Sequence, residues 1–238
     1  MHTRNFNYQD GDVTCHGYLA SQSHSAEPTV IVIHEFAGIT NNIKAHVEKI
    51  ARFGYTAVAI DMYGEGKIGK DFESCVTLFK QYFNDRALLQ RRVLAGFNAT
   101  RTLPEVNKNK IAAVGFCFGG MCALDLARAG ADVKGVASIH GLFLPPENVK
   151  RGKMTAKVLI CQGYDDPQVP HDQLHMLAKE LNENQVDWQF VYFSHTKHSF
   201  TDPEAAKLGP LELGRVYNAT SADRAWVYCH DFFDACLH

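Results

Sequence analysis

The chain has 238 residues, of which 46% are hydrophobic, and a net charge of −2 at pH 7. A chain of this length can bury one continuous core, so residues 1–238 are expected to form a single domain. Neither the charge nor any apolar run favours nucleic acid or a membrane as a partner, and Met1–Asp10 lacks the apolar core of a signal peptide. A cytoplasmic monomer or small homo-oligomer is therefore the expectation.

The seven cysteines indicate free thiols. Their number is odd and no pair has C-x-x-C spacing, which argues against a disulfide framework and against a zinc ribbon. Free thiols suit a reducing compartment, and an isolated cysteine is most often a small buried core residue. Six of the seven fit this interpretation, and Cys117 is the exception.

Short apolar strands alternate with amphipathic helices, a pattern typical of an α/β fold with a mostly parallel sheet and helices on both faces. In chain order, the predicted strands are Val13–Ala20 as an antiparallel edge strand, Val30–His34, Thr56–Asp61, Ile111–Gly115, Gly135–His140, Val158–Gln162 and Trp188–Phe193. Apolar stripes predict helices around Ile43–Ile50, Asp85–Thr100, Met121–Arg128, Leu174–Leu181 and Trp226–Cys236. Two loops, Tyr63–Lys70 and Asp202–Ala219, are long enough to form a lid or pocket wall.

The most informative segment is Gly115-Phe-Cys117-Phe-Gly119, which joins a predicted strand to an Ala/Leu-rich helix. This G-x-nucleophile-x-G pattern is typical of a nucleophile elbow, with Cys in the place of the more usual Ser. Side chains at the two glycines would collide with neighbouring backbone in so tight a turn. The helix N-terminus favours a negative charge on the sulfur. The pattern predicts Cys117 as a nucleophile, and a structural cysteine in a glycine-rich turn is the alternative.

An acid and then a histidine follow Cys117, each after its own predicted strand, in the order that this elbow requires. An acid at the carboxyl end of a parallel strand is where a triad acid should stand. Two candidates compete there. The spacing Asp-x-x-Val-Pro favours Asp166, with Asp165 as the alternative. After the last predicted strand, His198 is preferred to His195 as the base.

The loop after the first predicted parallel strand contains His34-Glu35-Phe36. In folds with this elbow, one oxyanion N–H comes from this loop and another from the residue after the nucleophile, which predicts the backbone of Phe36 and Phe118. His34-Glu35 matches the start of a zinc H-E-x-x-H helix, but Gly38 stands where the second ligand is needed, so we reject a metal site. A carboxylate at Glu35 beside the thiol would disfavour the thiolate, and a loop-capping acid is the alternative.

Together these segments resemble the dienelactone hydrolase family of α/β-hydrolases. The matching pieces are Val-Ile-His-Glu-Phe-Ala-Gly (32–38), Asp61-Met-Tyr-Gly64, Gly-Phe-Cys-Phe-Gly-Gly (115–120), Gly163 to Pro170, and His-Ser-Phe (198–200). The resemblance implies an eight-stranded-type sheet, a triad of Cys117, His198 and Asp166, and a glutamate at position 35 that holds the resting thiol until substrate binds. It also implies hydrolysis of a small-molecule ester or lactone without a metal or cofactor.

One segment departs from the family pattern. Members that act on dienelactone hold the substrate carboxylate with arginines, one of them shortly after the His-Ser-Phe segment. Here the chain continues Thr201-Asp-Pro-Glu204, and Asp202 and Glu204 would repel a carboxylate if they face the pocket. Arg86 and Tyr63 are the candidates for contacting the substrate. Cleavage of a thioester or peptide bond and a non-catalytic, redox-sensing cysteine are the alternative functions.

Overall fold

Eight strands form one sheet in the computed structural model, which describes residues 1–147 and 149–238 and their side chains except that of Leu211. The strands are β1 (His2–Asp10), β2 (Val13–Ser21), β3 (Glu27–Ile33), β4 (Thr56–Ile60), β5 (Val106–Phe116), β6 (Gly135–Ile139), β7 (Lys157–Gly163) and β8 (Trp188–Phe193). Their order across the sheet is β1-β2-β4-β3-β5-β6-β7-β8. The pairs β1–β2 and β2–β4 are antiparallel and the others are parallel, which confirms the predicted fold class.

Helices cover both faces of the sheet. They are α1 (Asn41–Arg52), α2 (Phe72–Asn84), α3 (Arg86–Thr100), α4 (Phe118–Arg128), α5 (His171–Glu183) and α6 (Ala219–Leu237). Side chains alternate along each strand, so Ile31 and Ile33 of β3 enter the core shared with α2–α5, while Val30 and Val32 enter the core shared with α1 and α6. Among the described residues, no helix is both long and apolar enough to cross a membrane.

Three elements differ from the sequence prediction. The segment Val13–Ala20 does form a strand, but the prediction of an edge position is wrong, because β1 pairs along its whole length. The strand β1 was missed because only one of its faces packs on the core, chiefly through Phe6 and Tyr8, while its other face is polar. The helix α2 was also missed, although Asp71 caps it by accepting a hydrogen bond from Ser74 N.

The carboxyl ends of the parallel strands meet at one rim of the sheet, where the predicted functional residues lie. Cys117 follows β5, and Glu35 follows β3. The segment 202–219 contains short 3₁₀ turns at Ala205–Lys207 and Leu211–Leu213 and then runs beside the loop after β8. There His198 and Arg215 form a parallel β-bridge, and Val216 N donates to the His198 carbonyl at 3.0 Å. This segment is therefore tied to the loop after β8 by backbone hydrogen bonding.

Candidate active site

The turn between β5 and α4 holds Cys117 in a strained conformation. Its φ is 54° and its ψ is −115°, a combination that side-chain-bearing residues rarely adopt. A Cβ at Gly115 would overlap the backbone of Gly119, and a Cβ at Gly119 would overlap the backbone of Ile33. Glycine is therefore required at both positions. The turn presents the sulfur at the residue just before α4, where free backbone N–H groups favour negative charge.

Three side chains from separate strand ends form a hydrogen-bonded line. His198 Nε2 lies 3.1 Å from Cys117 Sγ, and His198 Nδ1 lies 2.8 Å from Asp166 Oδ2. Burial favours the neutral imidazole, but the charge of Cys117, the hydrogen bonds and the charge of Asp166 outweigh burial and raise the pKa of His198 to about 10. The imidazolium is thus stabilised between a sulfur and a carboxylate.

The carboxylate of Asp166 is held by two further donors. Gln168 N donates to Oδ1 at 2.8 Å, and Gln162 Nε2 donates to Oδ2 at 2.6 Å. The two alternative residues lie elsewhere, because Asp165 is half-exposed and the His195 side chain is 95% exposed. The geometry therefore brings Asp166, and not Asp165, to the buried imidazole.

The peptide between Glu35 and Phe36 is fixed by the side chain that precedes it. His34 Nδ1 donates to the Glu35 carbonyl at 2.6 Å, while His34 Nε2 accepts from Met62 N at 3.1 Å. Burial lowers the pKa of His34, which keeps this imidazole neutral with its proton on Nδ1. In a trans peptide the N–H points opposite to the C=O. Binding the Glu35 carbonyl therefore sets the direction of the Phe36 N–H.

Both predicted oxyanion donors have free N–H groups at this rim. No hydrogen bond within residues 1–147 and 149–238 uses the Phe36 N–H. Phe118 is the first residue of α4, so its N–H has no acceptor inside the helix. The Phe36 carbonyl accepts from Tyr63 Oη at 2.8 Å, which fixes the following peptide as well. This stretch of backbone is preorganised before any substrate arrives.

The structure replaces the expectation that Tyr63 and Arg86 contact the substrate. Tyr63 is 3% exposed, and its hydroxyl is committed to the Phe36 carbonyl. Arg86 Nη2 lies 2.6 Å from Asp125 Oδ2, and Arg86 Nη1 donates to the Leu144 carbonyl at 3.1 Å. Neither side chain lines the cavity beside Cys117. Tyr63 supports the loop of Phe36, and Arg86 belongs to a buried ion-pair network.

A cavity of about 190 Å³ opens beside Cys117. Its walls are mostly apolar, and α2 contributes Phe72, Val76 and Phe79 to them. Sequence analysis missed this wall, although the spacing of these three residues at i, i+4 and i+7 is the signal of one helix face. The cavity has the size and polarity for the apolar part of a small ester.

A buried guanidinium adjoins the cavity on the side of Glu35. Arg215 Nη2 lies 3.9 Å from both Glu35 Oε2 and Asp202 Oδ2, and the guanidinium lies 4.1 Å above the ring of Phe36. We call Glu35, Asp202 and Arg215 the Arg215 cluster. Sequence analysis missed Arg215, because it is far from His198 along the chain and only the path of the segment 202–219 brings it back.

Glu35 does not contact the sulfur directly in the described structure. No hydrogen bond joins it to Cys117 Sγ, and its Oε1 accepts instead from Asn42 Nδ2 at 3.3 Å. Burial and the charge of Asp202 outweigh Arg215 and His198 and raise the pKa of Glu35 to about 7. Glu35 therefore changes charge near neutral pH.

Comparison with known proteins agrees with this architecture. The dienelactone hydrolase family profile matches residues 15–237. The chain belongs to the dienelactone hydrolase family. As members of this family do, it hydrolyses carboxylic esters or lactones on an α/β-hydrolase fold. The seven cysteines, all of them described, are free.

Two of three similar proteins cover most of the chain, and the third covers 58% of it. A solved structure, the dienelactone hydrolase-like promiscuous phosphotriesterase P91 from metagenomic libraries, is 34% identical with a TM-score of 0.94, over 100% of this chain and 99% of that one. A carboxymethylenebutenolidase homolog of Mus musculus is 25% identical over 85% of this chain and 82% of its own length. An uncharacterised Caenorhabditis elegans protein is 34% identical over 58% of this chain and 87% of its own length.

Proposed function

We propose that the chain hydrolyses small-molecule esters or lactones through a thioester on Cys117. In this proposal His198 is the base, Asp166 orients it, and the backbone N–H groups of Phe36 and Phe118 bind the oxyanion. The observation that carries the proposal is the line from Sγ through the imidazole to the carboxylate, with spacings of 3.1 and 2.8 Å, beside an apolar cavity. The free thiols fit a cytoplasmic location.

Acylation begins with transfer of the thiol proton to His198 Nε2. The charge of Cys117 and then the interactions with Asp166 raise the pKa of His198 to about 10, which favours the imidazolium–thiolate pair that this transfer forms. The thiolate attacks the carbonyl carbon, and the negative charge moves to the carbonyl oxygen between the two N–H donors. Collapse of this intermediate breaks the ester C–O bond, and the imidazolium protonates the leaving alkoxide.

Deacylation repeats these roles with water as the nucleophile. His198 accepts a proton from water as the water attacks the thioester carbonyl. The second tetrahedral intermediate is bound by the same two N–H groups of Phe36 and Phe118. Its collapse breaks the C–S bond, releases the carboxylic acid and expels the thiolate, which takes the proton from the imidazolium and becomes the thiol again. Each oxyanion donor typically contributes about 3 kcal/mol to such steps.

The decisive experiment is Cys117→Ala assayed with p-nitrophenyl acetate. We expect a fall in kcat of at least about 10³-fold, because the covalent route is lost. Cys122→Ala is the matched control, since Cys122 is a buried cysteine in the helix that follows Cys117, and it should retain turnover. Mass spectrometry of the quenched wild-type enzyme should find an acetyl group on Cys117. Wild-type turnover by Cys117→Ala would refute the proposal.

Phosphotriester hydrolysis is a second candidate activity. It is favoured by the similarity to the phosphotriesterase P91, which extends over the full chain at 34% identity. Here the Cys117 thiolate would attack phosphorus, expel the aryloxide and leave a phosphoryl group on sulfur for water to remove. Paraoxon turnover that disappears in Cys117→Ala would support it. A reactive Cys117 without turnover of paraoxon or of any ester would favour redox sensing instead.

A further inference from the structure

The Arg215 cluster places more buried negative than positive charge beside the cavity. All three side chains are at least nine-tenths buried, with exposures of 5% for Glu35, 7% for Asp202 and 5% for Arg215. One guanidinium faces two carboxylates at equal distances of 3.9 Å. When both carboxylates are ionised, the cluster carries one net negative charge. Lys80 also lines the cavity, but it is exposed, so water and salt screen its charge.

Arg215 is unsuited to hold an anionic substrate in this setting. Its Nη2 is buried, has no hydrogen-bond partner within the described residues, and already faces both carboxylates at 3.9 Å. A carboxylate docked there would also meet the two acids that already share this guanidinium. Gln168, which also lines the cavity, does not offset this repulsion. Its side-chain amide already donates to the Leu213 carbonyl at 2.8 Å. The remaining walls are largely aromatic and aliphatic.

We propose that the Arg215 cluster makes this enzyme select small uncharged esters and discriminate against esters whose acyl part carries a carboxylate. A neutral carbonyl or ether group can lie against the cluster without changing its charge balance. An anionic group is repelled by Glu35 and Asp202 at close range in a partly desolvated site. This inference rests on the proposed function, because it concerns substrates attacked by Cys117.

The discrimination depends on pH through Glu35. The groups that face Glu35 are Asp202, Arg215 and His198 as charged partners and Asn42 as a hydrogen-bond donor. Its pKa of about 7 means that the cluster is closer to neutral at pH 6 and net negative at pH 8. Discrimination against the anionic ester therefore grows as the pH rises from 6 to 8. The proton-transfer steps at His198 are common to both substrates and cancel in their ratio.

The test uses two substrates that share one leaving group, p-nitrophenyl methyl adipate and mono-p-nitrophenyl adipate. We expect kcat/KM for the neutral diester to exceed that for the anion by about ten-fold at pH 8, and by less at pH 6. Equal values, or a preference for the anion, would overturn the inference while leaving the triad proposal intact. Failure to hydrolyse either ester in a manner dependent on Cys117 would instead reject the proposed function.

Asp202→Asn is the matched variant, because its remaining side-chain oxygen can still accept from Glu204 N, as Asp202 Oδ1 does at 2.9 Å. We expect the neutral-to-anionic ratio at pH 8 to fall about five- to ten-fold. The midpoint of the pH dependence should also move down, since Asp202 raises the pKa of Glu35. Glu204→Gln removes an exposed carboxylate two residues away and should leave the ratio unchanged. A ratio that is the same in both variants would contradict the assignment.

Discussion

Two buried charge clusters in this molecule differ in the distances between their charges and in their hydrogen bonding. In the first, which we call the Arg128 cluster (Arg86, Asp125, Arg128 and Glu180), Arg128 lies 3.0 Å from Asp125 and 2.6 Å from Glu180. In the Arg215 cluster the charges are 3.9 Å apart, and the guanidinium nitrogen that faces them has no hydrogen bond. Close, saturated contacts indicate a structural role, while the looser cluster leaves a buried donor without a hydrogen bond, on a residue that lines the cavity beside Cys117.

The two clusters should also contribute differently to the free energy of unfolding. A buried ion pair stabilises the fold only when hydrogen bonds offset the cost of desolvating its charges. The Arg128 cluster meets this condition and lies against the core. The Arg215 cluster does not, and the raised pKa of Glu35 expresses the cost of charging it. The following variants test whether one cluster stabilises the fold while the other costs stability at neutral pH.

The largest effect is expected for Arg128→Ala. Arg128 is 1% exposed, and its removal leaves Asp125 with only Arg86 and Glu180 with only the more exposed Arg151 as partners. We expect the free energy of unfolding to fall by about 3–5 kcal/mol, measured by urea denaturation. The neutral-to-anionic substrate ratio of the folded fraction should be unchanged. A loss below about 1 kcal/mol would mean that the saturated contacts do not stabilise the fold.

Glu35→Gln should raise the free energy of unfolding, whereas Arg128→Ala should lower it. Burial and the charge of Asp202 raise the pKa of Glu35 in the folded state to about 7, above the 4.5 of a solvent-exposed glutamate. Wild-type stability therefore falls as the pH rises from about 4.5 to 7, because folding then requires charging a buried acid. We expect the variant to be more stable than wild type by about 2–3 kcal/mol at pH 8 and by little at pH 4.5. Thermal or urea unfolding at both pH values measures this, and a gain that does not depend on pH would contradict it.

The smallest effect is expected for Arg86→Met, which also tests the placement of Arg86 outside the cavity. Its side chain is 10% exposed, and Asp125 keeps Arg128 as a partner when Arg86 is lost. We expect a stability loss of about 1–2 kcal/mol and no change in KM for either adipate ester. A large rise in KM with unchanged stability would restore Arg86 as a substrate-binding residue.

The residues that could be predicted from the sequence are those marked by a motif in the residues next to them. Cys117 stands in a turn that only glycines permit on either side, and Asp166 and His198 each follow an apolar strand within a few residues. Parallel strands bring such strand ends to one rim, so the neighbourhood of these residues was predictable. The choice between Asp165 and Asp166 rested on spacing alone, and the geometry at His198 separates them.

The remaining parts of the site depend on contacts that leave no local pattern. Arg215 reaches the cavity because the segment after His198 folds back, and nothing in its neighbours indicates that return. The helix α2 was missed because several of its apolar residues line the cavity, while only Cys75 and Tyr82 are fully buried in the core. Arg86 was assigned wrongly because the sequence does not show whether an arginine binds a ligand or pairs with a buried acid such as Asp125.

The β-bridge between His198 and Arg215 couples two properties that evolution often varies separately. The base and the arginine share a pair of backbone segments, so a change in length between them would displace both side chains together. Substrate preference at this site can be altered by exchanging side chains such as Asp202, but remodelling the intervening segment would also disturb proton transfer. Libraries intended to broaden the substrate range should therefore keep the length of this segment constant.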